Sequence, residues 1–321
     1  MALLALAGWF ITAMALAGAA HTGMNYFTPA ALIRAAALLR TVGRYAERLV
    51  THEVTFRVLA ALRVWFYERI EPLAPAGLER YHSGDVLSRI RADIDTLNNV
   101  YLRLMVPVIV AALVTLILVG VLVQYNGYLA LIELGLLLLA GVGVPWWVSH
   151  QTGQWGAQSV LTRSQLRSQL VDDMQGMSEL LVYGAMTQRF EQLKTTNQVL
   201  IEQQRLIGIW SSAAPAAVGF LAHLALGAVL WIVIPLVINK QLPPPELALL
   251  TLLALASFEG VQPLPLAAQT LGETLAAARR IFALADSESM IKEPSQPLLL
   301  VAPLTIELQN VSFTYPNAKT P

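Results

Sequence analysis

The sequence predicts an all-α membrane protein of six spans, with helices that project well beyond the bilayer on one side and a short β fragment at the C-terminus. Three observations carry that prediction. Of the 321 residues, 56% are hydrophobic and only 13% charged, about half the charged share of an ordinary soluble domain. Residues 1–33, 104–132, 134–162 and 206–239 hold no Asp, Glu, Lys or Arg, and each exceeds the ~20 apolar residues that cross the hydrocarbon core. The connections alternate between short, nearly uncharged turns and long, charged segments.

Two interrupted apolar stretches complete the six spans: residues 29–56, which carry arginines, and residues 247–278, which carry Glu259 and Glu273. Residues 21–28, 125–128 and 239–246 are the short turns, the last built on Pro243-Pro244-Pro245. Residues 57–103, 163–205 and 279 onward are long and Arg-bearing, so the positive-inside tendency puts them in the cytoplasm and the turns outside.

The long segments have the pattern of helices. Val86, Leu87, Ile90, Ile94, Leu97, Val100, Tyr101 and Leu104 recur at three- and four-residue spacing, one stripe of an amphipathic helix that runs into a span. Pro72 and Pro75 interrupt the pattern ahead of it and isolate a short helix near residues 75–82. Residues 171–190 continue as helix, with Gly176 and Gly184 as close-packing points. Gly260, Pro263 and Pro265 loosen the last span locally.

The tail changes character after residue 285. Ser, Pro and Glu dominate residues 286–303 without helical periodicity, which marks a linker. Residues 304–308 and 311–315 then alternate as strands do. The chain thus divides into a transmembrane domain over 1–285, a linker over 286–303 and the start of a soluble domain over 304–321. That last piece is too short to bury a core and is expected to be poorly ordered alone.

Charge and cysteine content exclude several function classes. The 21 basic and 21 acidic residues cancel, so nothing points to a nucleic-acid partner. With no cysteine in the chain, disulfide frameworks, thiolate metal sites and cysteine nucleophiles are excluded.

The six spans, the short outer turns and the terminal Asn310-Val311-Ser312-Phe313-Thr314-Tyr315-Pro316 resemble an ABC exporter transmembrane domain running into its nucleotide-binding domain. Gly84-Asp85-Val86-Leu87-Ser88-Arg89, followed by Asp93 and Leu97, is similar to the first intracellular loop of those exporters. More narrowly, Gly8-Trp9-Phe10, the run Arg40-Thr41-Val42-Gly43-Arg44-Tyr45-Ala46-Glu47-Arg48-Leu49, His52 and Thr55-Phe56-Arg57-Val58-Leu59 resemble the CydC family. That resemblance implies one half of a heterodimeric thiol reductant exporter of the inner membrane, needed for cytochrome bd assembly and paired with a CydD-like half-transporter. It implies ATP with Mg as cofactor of the complete protein, Tyr315 as the aromatic that stacks on adenine, and docking of residues 75–82 and 172–184 on nucleotide-binding domains. Packing of Tyr315 within its own domain is the plainer reading of a strand aromatic.

Two features depart from the family. The first span begins without a basic, amphipathic lead-in and is expected to be clipped at its N-terminus. No G-x-x-x-x-G-K-[ST] phosphate loop, signature motif or Walker B acid occurs in the 321 residues, so this chain alone is expected not to hydrolyse ATP.

The strongest chemical signal is Arg40, Arg44, Arg48 and His52, spaced by four along one helix. Three cations on an apolar span are costly unless they meet an anion, a carboxylate or a cavity. Guanidiniums suit carboxylates, and imidazole is a common ligand of haem iron. A haem with propionates on Arg44 or Arg48 and iron on His52 is therefore chemically coherent, with Tyr45 either a donor to a propionate or an interface aromatic. A carboxylate-bearing thiol such as glutathione would use the arginines without the histidine. A third reading places the helix near an interface, its arginines snorkelling and neutralised by Glu47 or Glu53. Glu259, inside a span, is a candidate partner for an arginine of the second helix. A reading outside transport, a b-type cytochrome-like protein, requires His52 to pair with His21, His150 or His223.

Overall fold

The computed structural model describes residues 1–74, 89–287, 305, 307 and 309–312. The helices are α1 (Ala2–Ala19), α2 (Phe27–Ile70), α3 (Ile94–Asn99), α4 (Val106–Tyr125), α5 (Gly127–Leu138), α6 (Val144–Gln175), α7 (Met177–Val182), α8 (Met186–Ile238), α9 (Pro244–Val261) and α10 (Leu264–Ala285). Wider π-helical turns at Arg89–Asp93, Val100–Met105 and Leu139–Gly143 lead into α3, α4 and α6.

Among the described residues, five stretches are long and apolar enough to cross a membrane: Ala2–Ala19, Arg91–Tyr125, Gly127–Gln175, Met186–Ile238 and Pro244–Ala285. The sixth predicted span falls within α2. That helix is 44 residues long, but Arg34, Arg40, Arg44, Glu47, Arg48, Glu53 and Arg57 leave it short of the apolarity of a span.

Short turns cap one end of the bundle. Asn126 Oδ1 accepts from the Tyr128 and Leu129 N–H groups at 2.8 and 3.2 Å, starting α5 one residue after α4 ends. His21 and Lys240 take positive φ, 51° and 60°, at the other two turns. At the opposite end the helices lengthen: 53 residues give α8 a length of about 80 Å, far more than a bilayer core.

The core lies between α4, α5, α6, α8 and α9. Leu118, Leu122, Leu129, Val148, Ala225, Val229, Val233, Leu250 and Ala254 are fully buried there. Much of the remaining apolar surface faces outward, as it does where lipid is the solvent. Small residues set the closest approaches. A Cβ on Gly8 of α1 would lie 2.6 Å from Leu252 Cδ1 and 3.0 Å from the Ala248 carbonyl of α9. Gly8→Val therefore forces α1 away from α9 and is expected to destabilise the full-length protein by about 1–3 kcal/mol, read as a lowered Tm in detergent.

A second, smaller cluster joins the far ends of α2, α3 and α10 through Phe66, Ile70, Leu73, Ile94, Ile281 and Leu284. Arg280 clamps it with a two-pronged contact, donating from Nε to Asp93 Oδ2 at 2.9 Å and from Nη2 to Oδ1 at 2.6 Å. Arg63 of α2 donates to Asp95 of α3 at 2.7 Å.

The structure corrects two local expectations. Residues 171–190 do not form one helix: α6 ends at Gln175 and is capped by Gly176, the single turn and a half of α7 follows, and Gly184 reverses the chain with φ of 65°. Gly184 has no atom near its missing Cβ, so its role is left-handed backbone rather than close packing. Arg189 of α8 reaches back to Asp173 at 2.6 Å and fixes that reversal. Of the predicted strands over 304–308 and 311–315, only positions 305, 307, 311 and 312 are described, and these are not in strands; the others lie outside the described residues. Tyr315, the short helix near residues 75–82 and all of the 286–303 linker except its first two residues lie outside the described residues.

Candidate functional site

Helix periodicity explains which stripe residues stay together. Four residues advance the helix by about 6 Å and over-rotate it by about 40°, so Arg40, Arg44, Arg48 and His52 form a slowly turning ladder. Arg40, Thr41, Arg44, Tyr45 and Arg48 line one open recess of about 390 Å3 on α2. His52, about 120° round from Arg40, is not part of that lining. Its ring stacks on Phe56, one turn further on, with centroids 6.1 Å apart.

Glu259 of α9 faces the ladder from outside α2. Its Oε2 lies 3.7 Å from Arg40 Nη2, both side chains being about half exposed. Arg44 and Arg48 have no carboxylate within 4 Å among the described residues. Glu53 forms its ion pair with Arg57, at 2.6 Å, rather than with the stripe. Two cations thus stand together on an exposed face, free to take an external anion.

The histidines differ in their freedom. His223 Nδ1 is engaged with the Gly219 carbonyl at 2.7 Å, and His150 stacks on Trp146. His21 serves the turn after α1. His52 is in the same position as His150: each ring is stacked on an aromatic, neither has a hydrogen bond among the described residues, and the nitrogens of both are open to a ligand.

Sequence reasoning passed over Glu133. It sits on α5, wholly buried, with Oε1 3.4 Å from Ser257 Oγ of α9 and Oε2 without a partner among the described residues. The signal is present in the sequence: Glu133 is the one Asp, Glu, Lys or Arg between residues 104 and 162, and its place between two charge-free runs gives it the look of a boundary.

Comparison with known proteins places this architecture. The family described as ABC transporter transmembrane region matches residues 6–259. The glutathione/L-cysteine transport system ATP-binding/permease protein CydC of Escherichia coli (strain K12) is 36% identical over 316 residues, covering 98% of this chain and 55% of the relative. Its counterpart in Haemophilus influenzae is 35% identical, covering 100% and 56%. The CydD protein of Bacillus subtilis is 28% identical over 158 residues, covering 49% of this chain and 28% of its own length. The chain spans about half the length of the CydC relatives it matches.

Proposed function

The chain belongs to the ABC transporter transmembrane region family, and on that premise we propose that it forms the membrane part of a half-transporter for small thiols of the glutathione and L-cysteine class. In this reading α2 supplies the sixth span, the long helical ends lie in the cytoplasm, and a CydD-like half-transporter covers the exposed face of α2. ATP with Mg would act on nucleotide-binding domains, with the α6–α8 reversal at residues 172–184 as one docking point. The observation that carries the proposal is the pair Arg44 and Arg48, uncompensated beside Arg40 and Tyr45 in one recess.

Depth along α2 supports this role. Counted from Phe27, Arg40 lies about 20 Å down the helix, Arg44 about 26 Å and Arg48 about 32 Å, so the ladder climbs into the bilayer from its cytoplasmic edge. Arginines there attract a carboxylate-bearing solute from the cytoplasm and hold it beside the transport path. Glutathione offers two carboxylates and a thiol that makes no demand on charge. The absence of cysteine from this chain means that such a cargo cannot be trapped on it as a mixed disulfide.

The free ring of His52 favours haem as a second reading, with its iron on the imidazole and propionates on Arg44 or Arg48. Full-length protein with its partner, in inside-out vesicles, separates the two. ATP-dependent, saturable glutathione uptake that haem does not displace supports the thiol reading. A Soret band that shifts or weakens in His52→Ala supports haem, and absence of any ATP-dependent glutathione uptake overturns the first proposal.

A further inference from the structure

We infer that Glu133 is a positioning residue for the arginine ladder: it holds α9 in the rotation that presents Glu259 to Arg40. The inference rests on the proposed reading of the ladder as the ligand surface.

Ser257 and Glu259 are two positions apart on α9, about 200° around the helix, so they project from nearly opposite sides. Ser257 is fully buried: its hydroxyl donates to the Ala254 carbonyl of its own helix at 2.6 Å, and its oxygen faces α5 with Glu133 Oε1 3.4 Å away. Glu259 is half exposed and faces α2. The remaining buried positions of α9 are Leu250, Leu253, Ala254, Ala256, Phe258 and Val261. Apolar contacts of that kind tolerate a change of rotation, whereas the Ser257 hydroxyl comes within reach of Glu133 in only one rotation of α9. Gly260 adds a steric stop, since a Cβ there would approach Val114 of α4 to 3.0 Å. Turning α9 would bring a larger side chain to that place.

Arg40–Glu259 is the ionic link between α2 and α9 among the described residues. Its geometry is therefore set at the far side of α9, by a carboxyl that touches no ligand. Glu133 otherwise has no explanation in the packing, because it occupies an apolar core with one oxygen left without a partner.

The chain contains no cysteine, which makes the rotation directly measurable. In the full-length complex with its partner, Arg40→Cys and Glu259→Cys are joined by a short bismaleimide and the intrachain link is quantified by mass spectrometry. That pair is combined in turn with Glu133→Leu, Glu133→Gln and Ser257→Ala. On the otherwise unaltered chain, the same three changes are scored for glutathione KM and for maximal uptake rate. Glu133→Leu and Ser257→Ala are expected to lower the cross-link yield and, by releasing Arg40 from Glu259, to lower KM by about two- to fivefold, with maximal rate and complex abundance unchanged. Glu133→Gln keeps the shape and a hydrogen-bonding group and is expected to restore both. Ser257→Ala removes only a hydroxyl and carries the test if Glu133→Leu does not assemble. Unchanged cross-linking in Ser257→Ala, or a Gln variant as defective as the Leu variant, overturns the inference. A lowered yield with unchanged KM supports the positioning and overturns the ligand reading instead.

Discussion

Under the proposed thiol-transport function, replacing Arg44 and Arg48 together by alanine is expected to raise the glutathione KM of the full-length transporter by about 100-fold. Each arginine offers a charge-assisted hydrogen bond to a carboxylate, worth about 1.5–3 kcal/mol when well formed. The exposed setting of both residues places them toward the lower end, and every 1.4 kcal/mol is tenfold. Arg40→Ala is expected to cost much less, about two- to fivefold, because Glu259 already shares its charge across a half-exposed 3.7 Å contact. The contrast matters more than either value. A stripe that served only to sit at a membrane interface would respond to the number of cations removed, whereas a ligand surface responds to which cations lack a partner. Uptake kinetics in vesicles decide between them, and raising the salt concentration should narrow the gap by screening the exposed pair.

Arg280→Ala is expected to destabilise the protein by about 2–4 kcal/mol, and Asp93→Ala by about half as much. The asymmetry comes from burial. The Asp93 side chain is 12% exposed and that of Arg280 47%. Losing the arginine strands a carboxylate that water barely reaches, while losing the aspartate leaves a guanidinium that can turn outward. Thermal melting of the assembled, full-length complex reads the difference as two unequal losses in Tm, with Asp93→Asn between wild type and Asp93→Ala. Equal losses would show that the clamp acts through its geometry and not through desolvation.

The spans were legible because the bilayer imposes a coarse rule: twenty apolar residues without charge. Runs 104–132, 134–162 and 206–239 became α4, the α5–α6 pair and the upper part of α8. The break near Gly260, Pro263 and Pro265 was legible for the same reason that it exists: α9 ends at Val261 and α10 begins at Leu264, across a missing backbone donor. The reversal at residues 176–184 was not legible as such. Its apolar spacing stays helical across the break, and only the left-handed backbone of Gly184 ends it. At the candidate site, composition exposed the arginines, since each is costly on an apolar helix. It could not reveal that three of them share a recess while His52 has turned away, because that depends on the 40° drift per step and on what packs beside α2. Glu133 escaped for a third reason. A lone carboxyl in a charge-free stretch can be the end of a span or the middle of its interface, and only the proximity of Ser257, 124 positions away, distinguishes them.

The length of α8 has a mechanical consequence. Pro215 lies inside this helix and removes one rung of its hydrogen-bond ladder, which makes it the natural pivot of a long lever. The arm from Met186 to Pro215 is about 43 Å. A turn of only ~10° about Pro215 would sweep its tip through about 7 Å, comparable to the width of a small peptide in extended form. The tip carries the Gly184 reversal, stiffened by the Asp173–Arg189 pair. A small angular change among the spans thus becomes a large linear stroke at the end of the rod, and the same gearing in reverse converts a large push there into a fine adjustment deep in the bundle.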